Sequence, residues 1–297
     1  MDLFKEQAAI APEIEQVDAA IRRRLERLCK DDAVLDEVFR AFFKGRGKLL
    51  RPRLVLLSAF ALRGGDLRSP PDKPLHDALI SLGTVFEMVH SASLMHDDVL
   101  DDAATRRALP SLNALFGNKI AILAGDILYS EAFELLAEAF ESRISLMLTR
   151  CVHQMCRAEI SNLVKHDFET YCDIIAAKTA SLMKVCCRAG TEVVRRSADD
   201  PELIHALESF GHCFGMVFQL ADDLNDGDSE VAAAHPDKVV ALLKKYTRDA
   251  EMALAVLPNS VFCEQLSLML QSVVASVKNP MSADAVPLAS GMVDAGV

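Results

Sequence analysis

Residues 90–113 read H-S-A-S-L-M-H-D-D-V-L-D-D-A-A-T-R-R-A-L-P-S-L-N, with aspartates at 97, 98, 101 and 102 and two arginines close behind. The run before this stretch is mostly apolar and holds one glycine, Gly83, so the spacing predicts one helix over residues 75–104. On such a helix Asp97 and Asp101 lie one turn apart on the same face. Two bare carboxylates that close repel each other. A hard divalent cation compensates: Mg²⁺ takes one or two carboxylates together with phosphate oxygens and water. The plain alternative is a solvated acidic helix end, the usual place for a run of charge.

Residues 218–226, F-Q-L-A-D-D-L-N-D, repeat the pattern, with Asp222, Asp223 and Asp226 closing a second apolar helical run. Two such clusters on separate helices can face each other across a cavity and hold several Mg²⁺ ions around one diphosphate. In this pairing of motifs the chain resembles the trans-prenyl diphosphate synthases. The resemblance implies an all-α fold, a single large helical bundle around a central cavity of the isoprenoid synthase type. It also implies three Mg²⁺ ions, with Asp97, Asp98, Asp101, Asp222, Asp223 and Asp226 as the metal-binding set for the diphosphate of an allylic substrate.

Lys44, Arg46, Lys48, Arg51 and Arg53 form the densest basic cluster in the chain, around F-K-G-R-G-K-L-L-R-P. One reading is a charged loop. The other is an anion site, where glycine lets the backbone approach and Lys and Arg pair with phosphate. Gly47-Lys48-Leu49-Leu50-Arg51-Pro52 is similar to the family's G-K-x-x-R-P motif, which implies that Lys48 and Arg51 hold isopentenyl diphosphate. His90, seven residues before Asp97, and Arg107 join them by the same resemblance. Arg106 and Lys178 fall to the allylic diphosphate, and Lys178, Thr179 and Gln219 to catalysis near the reacting carbons. After the arginine pair the family usually has Gly where this chain has Ala108, and Pro110-Ser111 stands where Pro-Thr is common.

The remaining sequence supplies scaffold. At 297 residues and 51% hydrophobic, with 6% aromatic residues and few alternating β-branched runs, the chain favours an all-α fold. A net charge of −11 argues against a nucleic-acid partner. The start of the chain has no signal-peptide core, and the apolar runs are interrupted by charge, so no membrane span is expected. The eight cysteines form no C-x-x-C pair. In the group Cys151, His153 and Cys156, Cys151 and His153 are two apart and point to different sides of a helix, which makes a poor zinc site, so reduced, mostly buried thiols in a cytoplasmic protein are expected.

Helices are expected over residues 8–29, 35–43, 52–62, 117–139, 143–166, 167–192, 202–226 and 239–255. They should form one domain over residues 1–278, with a frayed tail over 279–297. By resemblance the enzyme condenses isopentenyl diphosphate with an allylic prenyl diphosphate and is a homodimer. Its product length is set by small residues behind Asp97. Ala92, Ser93 and Val89 line that pocket, and the small side chains at 92 and 93 imply a medium or long trans-polyprenyl product. A class I terpene cyclase, or a partner subunit of a heteromeric prenyl synthase, is the alternative. Beyond Asp226 the resemblance weakens: the family's loop with a Gly-Lys pair has no counterpart in G-D-S-E-V-A-A-A-H-P-D-K, where Lys238 is the nearest lysine.

Overall fold

The computed structural model describes residues 8–45, 47–63, 73–165, 167–195, 201–227 and 229–277. It is helical almost throughout. The elements are α1 Ala11–Leu28, α2 Ala33–Phe43, α3 Leu50–Arg63, α4 Lys73–Leu100, α5 Leu112–Phe116, α6 Asn118–Ala139, α7 Ser142–Asn162, α8 Phe168–Ile175, α9 Ser181–Val194, α10 Pro201–Asp226, α11 Glu230–Ala234, α12 Pro236–Ala255 and α13 Val261–Ala275. A small hairpin, β1 Thr105–Arg106 and β2 Leu109–Pro110, follows α4. The expected tail over 279–297 and Arg46 lie outside the described residues.

Local chemistry accounts for the helix starts. The Asp32 carboxylate accepts from the backbone N–H of Val34 and Leu35, Asp167 caps α8 through Thr170, and Ser260 caps α13 through Cys263. Each satisfies N–H groups that the first helical turn leaves without a partner. The buried side chains form one contiguous core, from Ile10 on the N-terminal turn to Val273 on α13. α3 is its centre: every residue from Leu54 to Ala61 is buried. A helix apolar all round must be enclosed by others, and α3 packs on α4 and α9 while α10 packs on α9 and α12.

α4 is the one helix among the described residues long and apolar enough to cross a membrane, but 72% of its most apolar stretch is buried inside the protein. It is the core helix that carries Asp97. All eight cysteines are free, and five of them are buried.

Three expectations change. The helix expected over 75–104 stops at Leu100. Asp102 takes φ 47°, its N–H reaches the Val99 carbonyl and that of Ala103 reaches the Asp98 carbonyl. This is a Schellman stop with aspartate in the left-handed position that glycine usually fills. Asp101 keeps its helical bond to the Asp97 carbonyl, so it stays one turn above Asp97. The helix expected over 167–192 is interrupted by a π-helical turn, Ala176–Ala180, between α8 and α9. Such turns push side chains out of the regular helical ladder and are common at functional sites; this one carries Lys178 and Thr179. The third change is the β1–β2 hairpin, where the sequence suggested no strand.

Glycine sets how closely the central helices meet. A Cβ on Gly215 of α10 would lie 2.5 Å from the Ala180 Cα, and one on Gly190 of α9 would lie 2.3 Å from the Val55 carbonyl oxygen. The first contact brings α10 against the π-helical turn, and so Gln219, one turn after Gly215, beside Thr179.

Candidate active site

α3, α4, α6, α7, the π-helical turn, α9 and α10 enclose a cavity of about 660 Å³. Lys48, Arg51, His90, Ser93, Asp97, Arg106, Arg107, Lys178, Thr179, Gln219 and Asp222 all line it. Apolar side chains line it too, among them Leu94, Tyr129, Met155, Leu182 and Phe218, while Ile160 and Leu163 in the lining are exposed. Acidic, basic and apolar side chains thus share one cavity.

The six aspartates divide. Asp97 and Asp222 line the cavity, while Asp101 and Asp226, one turn further on, are exposed. Asp98 departs from the expected metal set. One step along a helix turns a side chain by about 100°, and the Asp98 carboxylate is fully buried and accepts from Arg106 Nε at 2.6 Å, with Nη2 at 2.5 Å. Asp98 therefore aims Arg106. Asp223 departs as well: it accepts from the Tyr171 hydroxyl and from Gln219 Nε2, behind the cavity lining.

Burial pushes the Asp97 carboxyl up to about 6, aided by Glu159 and Asp101 and opposed by Lys178. Burial likewise raises Asp222 to about 6, with Lys48 opposing and Asp226 and Asp223 adding to the rise. Carboxylates so desolvated call for a cation. Among the described residues no three His, Cys, Asp or Glu side chains converge on a preformed metal site. A cation here would draw further oxygen ligands from a bound phosphate and water, which is how Mg²⁺ is usually held. The donor set is all oxygen, so the residues fit Mg²⁺ bound together with a diphosphate.

The basic side is as crowded. Burial lowers His90 well below the usual histidine range, and Arg51, Arg107 and Arg106 lower it further. His90 is thus neutral, among cations. Arg51 is buried with its Nε without a hydrogen-bond partner among the described residues. Glu87, also buried, supports the Arg51 charge from α4. Lys48 lies over the Phe218 ring at 6.0 Å. The glycine loop serves differently from the sequence reading. A Cβ on Gly47 would sit 2.8 Å from Arg107 Nη2, and Arg107 Nη1 donates to the Gly45 carbonyl at 2.9 Å. The glycines make room for a guanidinium, which then faces the cavity.

Arg107 and Ala108 form the two-residue turn of the hairpin, with φ 51° and 61°. A primed turn needs positive φ at both positions, which explains why glycine suits position 108. Ala108→Gly is expected to raise stability by about 1 kcal/mol, read as a higher urea midpoint at unchanged slope.

Lys178 Nζ sits 2.5 Å from Glu159 Oε2 and 3.8 Å from Asp97 Oδ2. Burial opposes its charge, but Asp97 and Glu159 outweigh that and raise its pKa. Thr179 Oγ1 donates to Gln219 Oε1 at 2.8 Å. Lys238, the nearest lysine after Asp226, lies over the Phe168 ring at 5.1 Å, away from the cavity lining.

Of the three expected pocket residues, Ser93 lines the cavity, with its Oγ donating to the His90 carbonyl. Ala92 and Val89 do not: both are fully buried in the core, Ala92 a step of about 100° round the helix from Ser93 and Val89 one turn further back on the same face. Sequence reasoning missed Glu87, Tyr129, Glu159 and Tyr171. Glu159 had a signal, one turn past Met155 on the apolar stripe Leu148, Cys151, Met155. Tyr129, between His96 and Phe133 in a run of ring contacts, had none.

The family model described as Polyprenyl synthetase matches residues 32–237. Heptaprenyl diphosphate synthase component 2 of Geobacillus stearothermophilus is 35% identical over 214 residues, covering 70% of this chain and 63% of that protein. Decaprenyl-diphosphate synthase subunit 1 of Schizosaccharomyces pombe is 31% identical over 248 residues, 74% of this chain and 64% of that protein. The match thus spans just under two thirds of these relatives. The crystal structure of a decaprenyl diphosphate synthase from Rhodobacter capsulatus superimposes with a TM-score of 0.75 at 23% identity, over 91% of this chain and 98% of that one, a likeness of fold. With the family match running from the start of α2 to the start of α12, across both aspartate clusters, the chain belongs to the polyprenyl synthetase family.

Proposed function

We propose that this chain is a Mg²⁺-dependent prenyltransferase that joins isopentenyl diphosphate head to tail to an allylic prenyl diphosphate, giving a medium- or long-chain trans-polyprenyl diphosphate. One observation carries this reading: Asp97 and Asp222 share a single cavity with Lys48, Arg51, His90 and Arg107, and apolar side chains such as Leu94, Met155 and Leu182 line the same cavity. Two charged substrates and a hydrocarbon tail need that combination.

In this reading Asp97, Asp101 and Asp222 would hold Mg²⁺, whose charge would offset that of the departing diphosphate. Lys178 and Arg106 hold the allylic diphosphate, Arg106 aimed by Asp98. Lys48, Arg51, His90 and Arg107 hold isopentenyl diphosphate, and a neutral His90 adds a hydrogen bond without repelling the arginines. The allylic C–O bond breaks, the isopentenyl double bond forms the new C–C bond to the resulting cation, and a proton leaves to the diphosphate. Thr179 and Gln219 present oxygen dipoles to the cation. The apolar wall keeps water from quenching it and takes up the growing chain at about 0.8 kcal/mol per methylene.

A terpene cyclase has no use for the second diphosphate site, which argues against that alternative. The partner-subunit reading draws on relatives named as a subunit and as a component. We favour catalysis by this chain, since both clusters keep their aspartates, and a second copy as its partner. Exposed Leu115, Ile122 and Leu123 on α5 and α6 are the apolar side chains such a copy would cover.

Purified chain incubated with isopentenyl and allylic diphosphates and Mg²⁺ should form polyprenyl diphosphate. No product from the chain alone, with product when a second subunit is added, would favour the heteromer. Lys48→Ala and Arg51→Ala should raise KM for isopentenyl diphosphate about 10–100-fold, the worth of one or two charge-assisted contacts, and KM for the allylic substrate far less. Equal effects on both would refute a dedicated site.

A further inference from the structure

Tyr171, Asp223, Gln219 and Thr179 form one line of hydrogen bonds from the second aspartate cluster to the π-helical turn. The Tyr171 hydroxyl donates to one oxygen of Asp223. Gln219 Nε2 donates to the other at 2.9 Å, and Thr179 donates to Gln219 Oε1 at 2.8 Å. Chemistry fixes the direction of each bond. A carboxylate only accepts, so the amide edge facing Asp223 is NH₂ and the edge facing Thr179 is oxygen. Thr179 has one hydroxyl proton, and it is committed to Gln219. What its oxygen can offer the cavity is lone pairs. Thr179 and Gln219 line the cavity; Tyr171, 3% exposed on α8, and Asp223 stand behind them.

We propose that Tyr171 is a positioning residue for prenyl transfer: through Asp223 it locks the Gln219 amide, so that Thr179 turns lone pairs and not a proton toward the forming allylic cation. This rests on the prenyl-transfer reading above. Tyr171 acts by holding the Asp223 carboxylate in place; once that carboxylate turns away from Gln219, the amide can flip, donate to Thr179 and free the threonine proton toward the cavity, which opposes positive charge there. It also makes Asp223 a support for the reacting end of the site and not a metal ligand.

Tyr171→Phe removes one oxygen and keeps the ring. It should lower kcat about tenfold or more, the usual scale for losing an outer hydrogen-bond partner, while KM for both diphosphates and the Mg²⁺ concentration for half-activity stay within about twofold. Asp223→Asn should behave alike, whereas Asp222→Asn should shift the Mg²⁺ requirement. In thermal unfolding, Tyr171→Phe should lower the melting temperature by about 2–4 °C in the wild-type background and have no effect beside Asp223→Ala. Wild-type protein that forms no product, alone or with an added second subunit, overturns the prenyl-transfer reading and this proposal with it. Active wild type with unchanged kcat in Tyr171→Phe overturns the positioning role alone. So does a raised Mg²⁺ requirement in Asp223→Asn equal to that of Asp222→Asn. Additive melting shifts refute the hydrogen-bond line itself.

Discussion

Replacing Asp97 or Asp222 with alanine is expected to lower turnover by about 10²–10⁴-fold, since a cation at the leaving group supplies several kcal/mol and each 1.36 kcal/mol is tenfold. The fold should survive, for a reason visible in the charge balance. Burial raises both carboxyls to about 6, above their unfolded values near 4. A group whose pKa is raised on folding adds stability below its unfolded pKa, and that stability is lost as pH rises through the folded one. At pH 7.5 both carboxylates are charged and weigh against the fold. Removing either should leave the melting temperature unchanged or higher, so lost turnover cannot be blamed on unfolding.

The same balance predicts that Mg²⁺ with inorganic pyrophosphate raises the melting temperature at pH 7.5 more than at pH 5, where protons compete for the carboxylates. The shift should shrink in both alanine variants. Near-wild-type turnover of either variant at limiting Mg²⁺ would show that the two clusters do not hold the catalytic cation.

Ser93→Phe should shorten the product by several isoprene units. Ser93 lies one turn before Asp97, about 6 Å along the helix from the diphosphate end, and lines the cavity. A ring there caps the channel, and a well-packed wall cannot stretch to pass it. Tyr129 of α6 is another bulky group in the cavity lining, so Tyr129→Ala should lengthen the product. Ala92→Phe should act differently. Ala92 is fully buried in the core, so the ring overpacks the α4 interface and destabilises by about 1–3 kcal/mol with little change in product. Chromatography of dephosphorylated products and urea unfolding would separate the cases. A fifteen-carbon wild-type product, or unchanged length in Ser93→Phe, would refute this account of the channel.

The helical fold was legible because its cause is local. Apolar periodicity, few β-branched runs and capping residues act within a few positions, and α1, α2, α3, α6, α10 and α12 begin and end within a few residues of expectation. The charged lining was legible for a related reason: Asp97, Asp222, Lys48 and Arg51 carry chemistry in their type and spacing, and all four reach the cavity. What each neighbour does was not. Asp97, Asp98, Asp101 and Asp102 are one run of like residues, yet one lines the cavity, one holds Arg106, one is exposed a turn beyond Asp97 and one stops the helix. Those roles follow from the left-handed turn at Asp102 and from where Arg106 arrives on the hairpin, and both need the folded backbone. Glu159, Tyr171 and Tyr129 stayed hidden because their partners, Lys178, Asp223 and His96, sit on other elements. Type and spacing determined that this chain gathers clustered carboxylates and basic side chains on helices. Only tertiary packing, with α10 drawn against the π-helical turn through Gly215, decided which side chains face the cavity and which hold them in place.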